Sequence, residues 1–464
     1  MMPDMEPGLI RDVVVVVPGI MGTELLDRDR SPVWSLQRQS LIEAIRTFGG
    51  SVRRLQLPDD IGDSPAPDGV IPGSLMPALH VVPGLWRPIA GYSGLLSFLT
   101  GPRLQLVPPN PSQPHLIPNL VPFGYDWRLS CRYNGRQLAK VAKAALARWR
   151  RQSGMGDARL ILLCHSMGGL VARWFLECEG GAELTRAVVT IGTPHQGALR
   201  ALDTLAGEVE PGFGRFRLRL TDFVHSLPSL HQLLPTYRCV VSGSTRITIA
   251  EAGIPGLNNA MVRDAASFHA AITPTSAPDY SLHKVVGIRQ PTLTTARVEP
   301  GRIVADERID GLEQGGDGTV PRLAAEPIFG RGTEIHEIAG QHGELQGTRS
   351  ALDLIDGILS RQELIYESAG SDLQIGVAID DIHQAEQEVP IRVVGAGGRR
   401  VVAVALDGND PVAPPVPVGS DGTANLPGLP PGAYRVRVTV SGRESATVTH
   451  PILVWPTGLA AARS

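Results

Sequence analysis

The 464-residue chain has only four cysteines, Cys131, Cys164, Cys178 and Cys239, and none stands in a C-x-x-C pair. So few cysteines in so long a chain exclude a disulfide framework and a zinc knuckle. Cys164 and Cys178 fall in apolar stretches and read as small buried hydrophobes. No apolar run approaches the roughly 18 uncharged residues that a membrane span needs. The five valines at 13–17 are too short for a leader's apolar core, and no basic cluster precedes them. A cytoplasmic location is therefore expected. Excess charge is also missing: the net charge is -3, which excludes a broad basic surface for nucleic acid. There is no H-E-x-x-H, no acidic calcium loop and no histidine pair at ligand spacing, so no metal and no cofactor are expected.

Glycine and proline are plentiful instead, at 52 and 39 residues, and they punctuate a repeating pattern. The length suggests roughly two to four domains. "DVVVVV" (12–17), stopped by Pro18-Gly19, suits a buried parallel strand. Further strands are expected at 158–164, 186–194, 283–288 and 333–338. Helices are expected at 135–152, from Gly168 onward and at 345–359. In the first helix Leu138, Val141, Ala145, Leu146 and Trp149 share one face. Strand–helix alternation predicts an α/β fold with a mostly parallel sheet and helices on both faces. Two long segments, about 28–115 and 198–280, break the alternation and read as caps. After about residue 365 the pattern changes to period two, with turn-rich connectors such as "DGTANLPGLPPGAYRV". The expectation is an α/β domain over 1–364 and an immunoglobulin-like β-sandwich as an accessory domain over 365–464. The sandwich has no cluster of reactive side chains and reads either as a module for a protein partner or as a structural appendage.

"LLCHSMGGLVARWF" (162–175) places Ser166 where a buried strand turns into a helix. At such an elbow a hydroxyl projects from the carboxyl end of the sheet, and the new helix turns free N–H groups toward developing negative charge. Cys164 stands where the G-x-S-x-G motif has its first glycine. A serine needs an imidazole to take its proton, and that imidazole needs a carboxylate. "EQGGDGTVP" supplies Asp317 in a loop after the fourth strand, and "HEIAGQHGELQ" supplies His342 after the fifth. His165 faces away from Ser166 and should pack. His195 suits a structural hydrogen bond, and His336 lies within a strand and should pack too. Asp306 and Asp310 read as solvated. The oxyanion needs two backbone donors. Met167 offers one, and the "PGIMG" loop offers the other at Ile20, with Met21 as a register alternative.

Six stretches, "VVVPGIMGTEL", "GYDWRLS", "CHSMGGLVARWFLE", "TIGTPHQGA", "SLPSLHQLLP" and "GGDGTVP", together resemble the lecithin:cholesterol acyltransferase family of α/β-hydrolases, in family order across residues 12–346. The resemblance implies an acyl-enzyme on Ser166, with Asp317 and His342 as partners and the N–H groups of Ile20 and Met167 as the oxyanion site. It implies fatty acyl ester substrates, commonly phospholipids. It also gives Asp126 and Arg128 of "GYDWR" a structural role, tying loops near the site.

The chain departs from the family in two ways: residues 28–115 hold no cysteine pair, and the C-terminal β-module is not part of the family core. Sterol specificity and lipoprotein activation are therefore not carried over. The expected activity is that of a serine esterase, lipase or O-acyltransferase, with water or an alcohol as acceptor. Apolar cap stretches at 75–99 and 212–230 would wall an acyl chain. Arg215, Arg217 and Arg219 would touch anionic headgroups in transient membrane-surface contact, or form a solvated edge. The competing readings are a non-catalytic scaffold that binds through the β-sandwich, and a thioester or amide hydrolase.

Overall fold

The computed structural model describes residues 10–34, 54–77, 80–82, 86–89, 91–206, 221–274, 279–300, 302–326, 334–360, 375–396, 399–408, 410–441 and 443–456. Its centre is a six-stranded, wholly parallel sheet. We number its strands in chain order: β1 (Val13–Val17), β2 (Leu120–Pro122), β3 (Leu160–His165), β4 (Thr185–Ile191), β5 (Ser281–Ile288) and β6 (Glu334–Ala339). They lie side by side as β6-β5-β4-β3-β1-β2.

The valine run shows why the sheet sits where it does. Side chains alternate along a strand, and here both faces are covered. Val13, Val15 and Val17 enter one apolar core, Val14 and Val16 the other. β3 divides in the same way, with Leu160, Leu162 and Cys164 on the first side and Ile161 and Leu163 on the second. Each fully buried valine contributes about 1.5 kcal/mol or more through burial.

Helices cover both faces: α1 (Ser93–Thr100), α2 (Cys131–Ser153), α3 (Gly168–Cys178) and α4 (Arg349–Ser360). α2 and α3 pack on the first core, and α1 and α4 on the second. α2 begins where Ser130 accepts from the Tyr133 N–H and ends at left-handed Gly154. Its buried stripe runs through Leu138, Ala142, Ala145, Leu146 and Trp149. Val141 is 41% exposed, against expectation, because Ala142 takes the inward position of that turn. Cys178, expected to be buried, is exposed at the end of α3, whereas Cys131, Cys164 and Cys239 are buried. Among the described residues no helix is long and apolar enough to cross a membrane.

The first interrupting segment contributes α1 and two strands, Pro32–Trp34 and Ile71–Leu75, which flank Thr23–Leu26 in a three-stranded sheet. The second contributes short helices. It also contributes two strands, Val240–Ser242 and Thr245–Ile247, which join Thr295–Glu299 and Arg302–Asp306 from beyond β5 in a four-stranded sheet. Arg215, Arg217 and Arg219 lie outside the described residues, as do residues 361–374, where the boundary between the two predicted domains falls.

The C-terminal part is all β. One sheet joins β7 (Gly376–Ala378) to Val389–Val394 and Thr423–Leu426. The other is built on Val401–Asp407, Gly432–Val440 and Arg443–Trp455. Val389–Val394 alternates strictly between buried and exposed residues, and both sheets share a third apolar core. The chain is thus an α/β-hydrolase fold followed by a β-sandwich.

Candidate active site

Consecutive parallel strands here run outward from β1 in opposite directions, to β2 on one side and β3 on the other. The crevice beyond the carboxyl ends of β1 and β3 is therefore a switch point, where α/β sheets gather ligands. Ser166 stands in it, directly after β3. Its φ of 51° is left-handed, an uncommon conformation for a side chain with a Cβ and one that clusters at functional sites. The turn is held by the Ser166 N–H donating to the Ile191 carbonyl at 2.9 Å and the Gly169 N–H donating to the Ser166 carbonyl at 3.0 Å. Gly168 lies directly against the carbonyls of Val17 and Pro18, where a Cβ has no room. Cys164, in the place of the motif's first glycine, is accommodated wholly buried on β3.

Asp317 and His342, 25 residues apart in sequence, meet at the neighbouring strand ends. His342 Nδ1 lies 2.7 Å from Asp317 Oδ2, and His342 Nε2 lies 2.8 Å from Ser166 Oγ. A carboxylate only accepts, so Nδ1 carries the proton and Nε2 accepts from the serine hydroxyl. Asp317 is fixed through its other oxygen, which accepts from the N–H groups of Thr319 (2.9 Å) and Val320 (2.7 Å). The His342 N–H in turn donates to the Asp317 carbonyl at 2.8 Å. Left-handed Gly192 (φ 58°) makes room: a Cβ there would stand 3.0 Å from Asp317 Oδ2 and 3.1 Å from His342 Nδ1. Ser166 and His342 are fully covered, and Asp317 is 1% exposed.

The loop after β1 forms the other wall. Its turn closes with the Gly22 N–H donating to the Gly19 carbonyl at 3.1 Å, with Met21 left-handed at φ 61°. Among the described residues, the backbone N–H groups of Ile20 and Met167 have no hydrogen-bond partner, and both residues are wholly buried. The Gly19 N–H is taken: it donates to Tyr92 Oη at 2.8 Å.

That bond begins a relay that sequence reasoning missed. Tyr92 Oη lies 2.9 Å from His165 Nδ1, and His165 Nε2 lies 3.0 Å from the His342 carbonyl. With a neutral His165, the tyrosine donates to Nδ1 and Nε2–H donates to the carbonyl, so every group is satisfied. His165 packs, as expected, but it packs as a brace under His342. Tyr92 belongs to a segment without periodicity, so nothing in the sequence singles it out. Burial pushes its hydroxyl pKa well above the ordinary value.

The competing candidates lie elsewhere. His195 is buried with Nε2 3.3 Å from Thr190 Oγ1, and burial lowers its pKa well below the usual imidazole value. Asp310 is exposed and pairs with Arg246 at 3.0 Å. Asp306, half-buried, accepts from the Arg308 N–H. His336 packs on β6. Arg128 is completely buried and grips Asp126 through Nε (2.9 Å) and Nη2 (2.7 Å), and Asp68 through Nη1 (2.6 Å). Tyr125 Oη donates to the Pro18 carbonyl at 2.8 Å. The "GYDWR" stretch thus ties the first interrupting segment to the loop after β1.

The β-module reaches the site. Gln290, wholly buried, donates from its backbone N–H to the Gly316 carbonyl at 3.0 Å, next to Asp317. Its Oε1 accepts from Gln341 Nε2 (3.1 Å) and from the Val377 N–H of β7 (3.0 Å). Glu344, two residues past His342, lies 3.3 Å from Arg435 of the module. Burial outweighs that arginine and Arg437 and raises the Glu344 pKa to about 7.

A parallel sheet with a serine, an imidazole and a carboxylate in series beyond its strand ends has the architecture of the α/β-hydrolase fold. In comparisons with known proteins, residues 134–225 match the model of the PGAP1-like alpha/beta domain. The uncharacterized protein YJR098C of Saccharomyces cerevisiae is 32% identical over 78 residues, a match covering 17% of this chain and 11% of that protein. The chain thus spans about a tenth of the length of this curated relative. Among solved structures, a chain of the Tle4–Tli4 complex superposes with a TM-score of 0.46 at 17% identity, covering 75% of this chain and 96% of the other. For the lipase BlEst2 of Bacillus licheniformis the values are 0.32, 11%, 77% and 96%. For phospholipase PlaB of Legionella pneumophila they are 0.22, 9%, 74% and 85%.

Proposed function

We propose that the protein is a serine esterase, lipase or O-acyltransferase that works through an acyl-enzyme on fatty acyl esters of the phospholipid type. The observation that carries this reading is the unbroken series Ser166 Oγ–His342 Nε2 (2.8 Å) and His342 Nδ1–Asp317 Oδ2 (2.7 Å). In the first half-reaction Oγ attacks the ester carbonyl while His342 Nε2 takes the hydroxyl proton. Asp317 holds the imidazole in the required tautomer and stabilises its charged form. The negative oxygen of the tetrahedral intermediate accepts from the backbone N–H groups of Ile20 and Met167. His342 then returns its proton to the leaving alkoxide, which departs as an alcohol and leaves Ser166 acylated. In the second half-reaction His342 deprotonates the acceptor. Water gives a free acid, and an alcohol gives a new ester.

The covered site supports an apolar acyl substrate over a water-filled cleft, because exclusion of water strengthens every bond to the oxyanion. The lipid class follows the motif resemblance to the lecithin:cholesterol acyltransferase family. A test is turnover of defined phospholipids and neutral esters by the wild type and Ser166→Ala, with and without an added alcohol, read by mass spectrometry. Loss of fatty acyl release in Ser166→Ala is the expected result, and the alcohol arm distinguishes transfer from hydrolysis. Strict preference for acetyl esters overturns the lipid assignment. No labelling of the folded wild type by a fluorophosphonate overturns the catalytic one and favours a scaffold that binds through the β-sandwich.

A further inference from the structure

A second cluster of reactive side chains lies on the same sheet, at the amino ends of β5 and β6, away from Ser166. β5 and β6 pair in parallel with His283 opposite Glu334 and Val285 opposite His336. Residues paired across strands, and residues two apart along one strand, point to the same face. His283, Glu334 and His336 therefore converge. His283 Nδ1 stands 3.0 Å from Glu334 Oε2, and His336 Nε2 stands 3.5 Å from the same oxygen. The two imidazoles stack with ring centres 6.0 Å apart. All three donor atoms lie within 4.8 Å of one another.

We propose that this triad is a binding site for a divalent transition metal ion of the zinc class. Two imidazole nitrogens and one carboxylate oxygen are a donor set that suits zinc and its neighbours rather than magnesium or calcium. Ligands about 2.0–2.1 Å from a tetrahedral ion stand roughly 3.3 Å from one another, close to the separations that the carboxylate oxygen already makes with both rings. The side chains of His283 and His336 are 13% and 9% exposed, so their rings are held by packing, whereas Glu334 at 60% opens the fourth position to solvent. Burial also lowers the His336 pKa, which favours the neutral imidazole that a metal requires.

An ion held here clips β6, the edge strand, to β5. β6 leads directly into the loop that carries His342. The cluster is invisible to a spacing search, because 53 residues separate the two histidines and only the β5–β6 register joins them.

The test uses the full chain freed of metal by a chelator and passed into chelator-free buffer. Zinc is titrated in competition with a chromophoric chelator, cobalt is titrated by its visible spectrum, and thermal unfolding is followed with and without zinc. The expected result is one equivalent of zinc, a visible cobalt band and a raised Tm. His283→Ala and Glu334→Ala should each weaken zinc binding by about tenfold or more. Glu334 is largely exposed, so Glu334→Ala remains informative if a histidine variant fails to fold. The proposal is overturned if the wild type does not compete with the chelator, or if binding persists undiminished in His283→Ala/Glu334→Ala. None of these readouts depends on ester turnover, so the outcome stands apart from the catalytic reading.

Discussion

Gln341, the residue immediately before His342, donates from Nε2 to the carbonyl of Val377 at 2.9 Å. The C-terminal module is thereby bonded to the loop of the imidazole, and through Gln290 to the loop of the carboxylate. Both glutamines are buried, so each lost bond leaves a polar group without a partner, at a cost of about 1–3 kcal/mol. A base misplaced by a fraction of an ångström is a poorer base. Gln290→Ala is therefore expected to lower kcat about tenfold with little change in KM. Steady-state kinetics on a soluble ester checks this. An unchanged kcat in a variant that is demonstrably less stable would make Gln290 purely structural.

The carboxylate offers a sharper experiment. Asn in place of Asp317 can keep Oδ1 and its two backbone bonds from Thr319 and Val320. Its amide then faces His342 Nδ1 and drives the proton to Nε2, where it blocks acceptance from Ser166. Asp317→Asn should fold as the wild type does and lose about 10^3–10^4-fold in kcat. Circular dichroism and fluorophosphonate labelling rates measure the two halves of that statement. Near-normal labelling would mean that another group orients the imidazole.

How far these features could be read in advance depended on the range of the interactions behind them. β1 was legible because five valines need two apolar faces. Ser166, Asp317 and His342 were legible as residues just past strand ends, and the structure places them within hydrogen-bond reach of one another. Val141 was misplaced because periodicity fixes a stripe only to within one residue, and the smaller Ala142 packs inward. Tyr92 and Gln290 were not legible: their partners lie 73 residues away in one case and 51 and 87 in the other. Neither residue stands in a recognisable motif, as Ser166 does, so nothing local marks its distant partners.

Tyr92 carries a prediction of its own. Phenylalanine would fill the same space but leave the Gly19 N–H without an acceptor and His165 Nδ1 without a donor. Gly19 precedes Ile20, whose N–H is assigned to the oxyanion. Tyr92→Phe should cost about 1–3 kcal/mol of stability and several-fold in kcat, with chemical denaturation and kinetics as the measurements. A stability loss without a kinetic one would separate the brace from the oxyanion loop.

Glu344 gives the protein a pH-dependent element. Its pKa is raised from 4.5 to about 7 in the folded chain, so between those values the native state binds more protons than the unfolded state. Stability from this group therefore falls as pH rises from about 4.5 to 7 and stays low above. The contact between Glu344 and Arg435 offsets part of that loss. Glu344→Gln removes the titration but keeps the shape, so wild type and variant should unfold at similar temperatures near pH 5. Near pH 8 the variant should be more stable, by about 2–5 °C. Thermal melts at the two pH values decide it, and a variant less stable at pH 8 would show that the arginine contact outweighs burial of the charge.

The covered nucleophile constrains how reagents reach it. Ser166 Oγ is enclosed in the folded state, so an acylating probe reacts only after the residues above it have moved. When opening is slower than capture, the labelling rate stops rising with probe concentration and levels off at the opening rate. Saturating labelling kinetics are therefore expected with fluorophosphonates of different chain length, all reaching the same plateau. Detergent micelles or phospholipid vesicles that favour the open form should raise that plateau. A rate that stays proportional to probe concentration throughout would mean that Ser166 is reached without any rate-limiting movement.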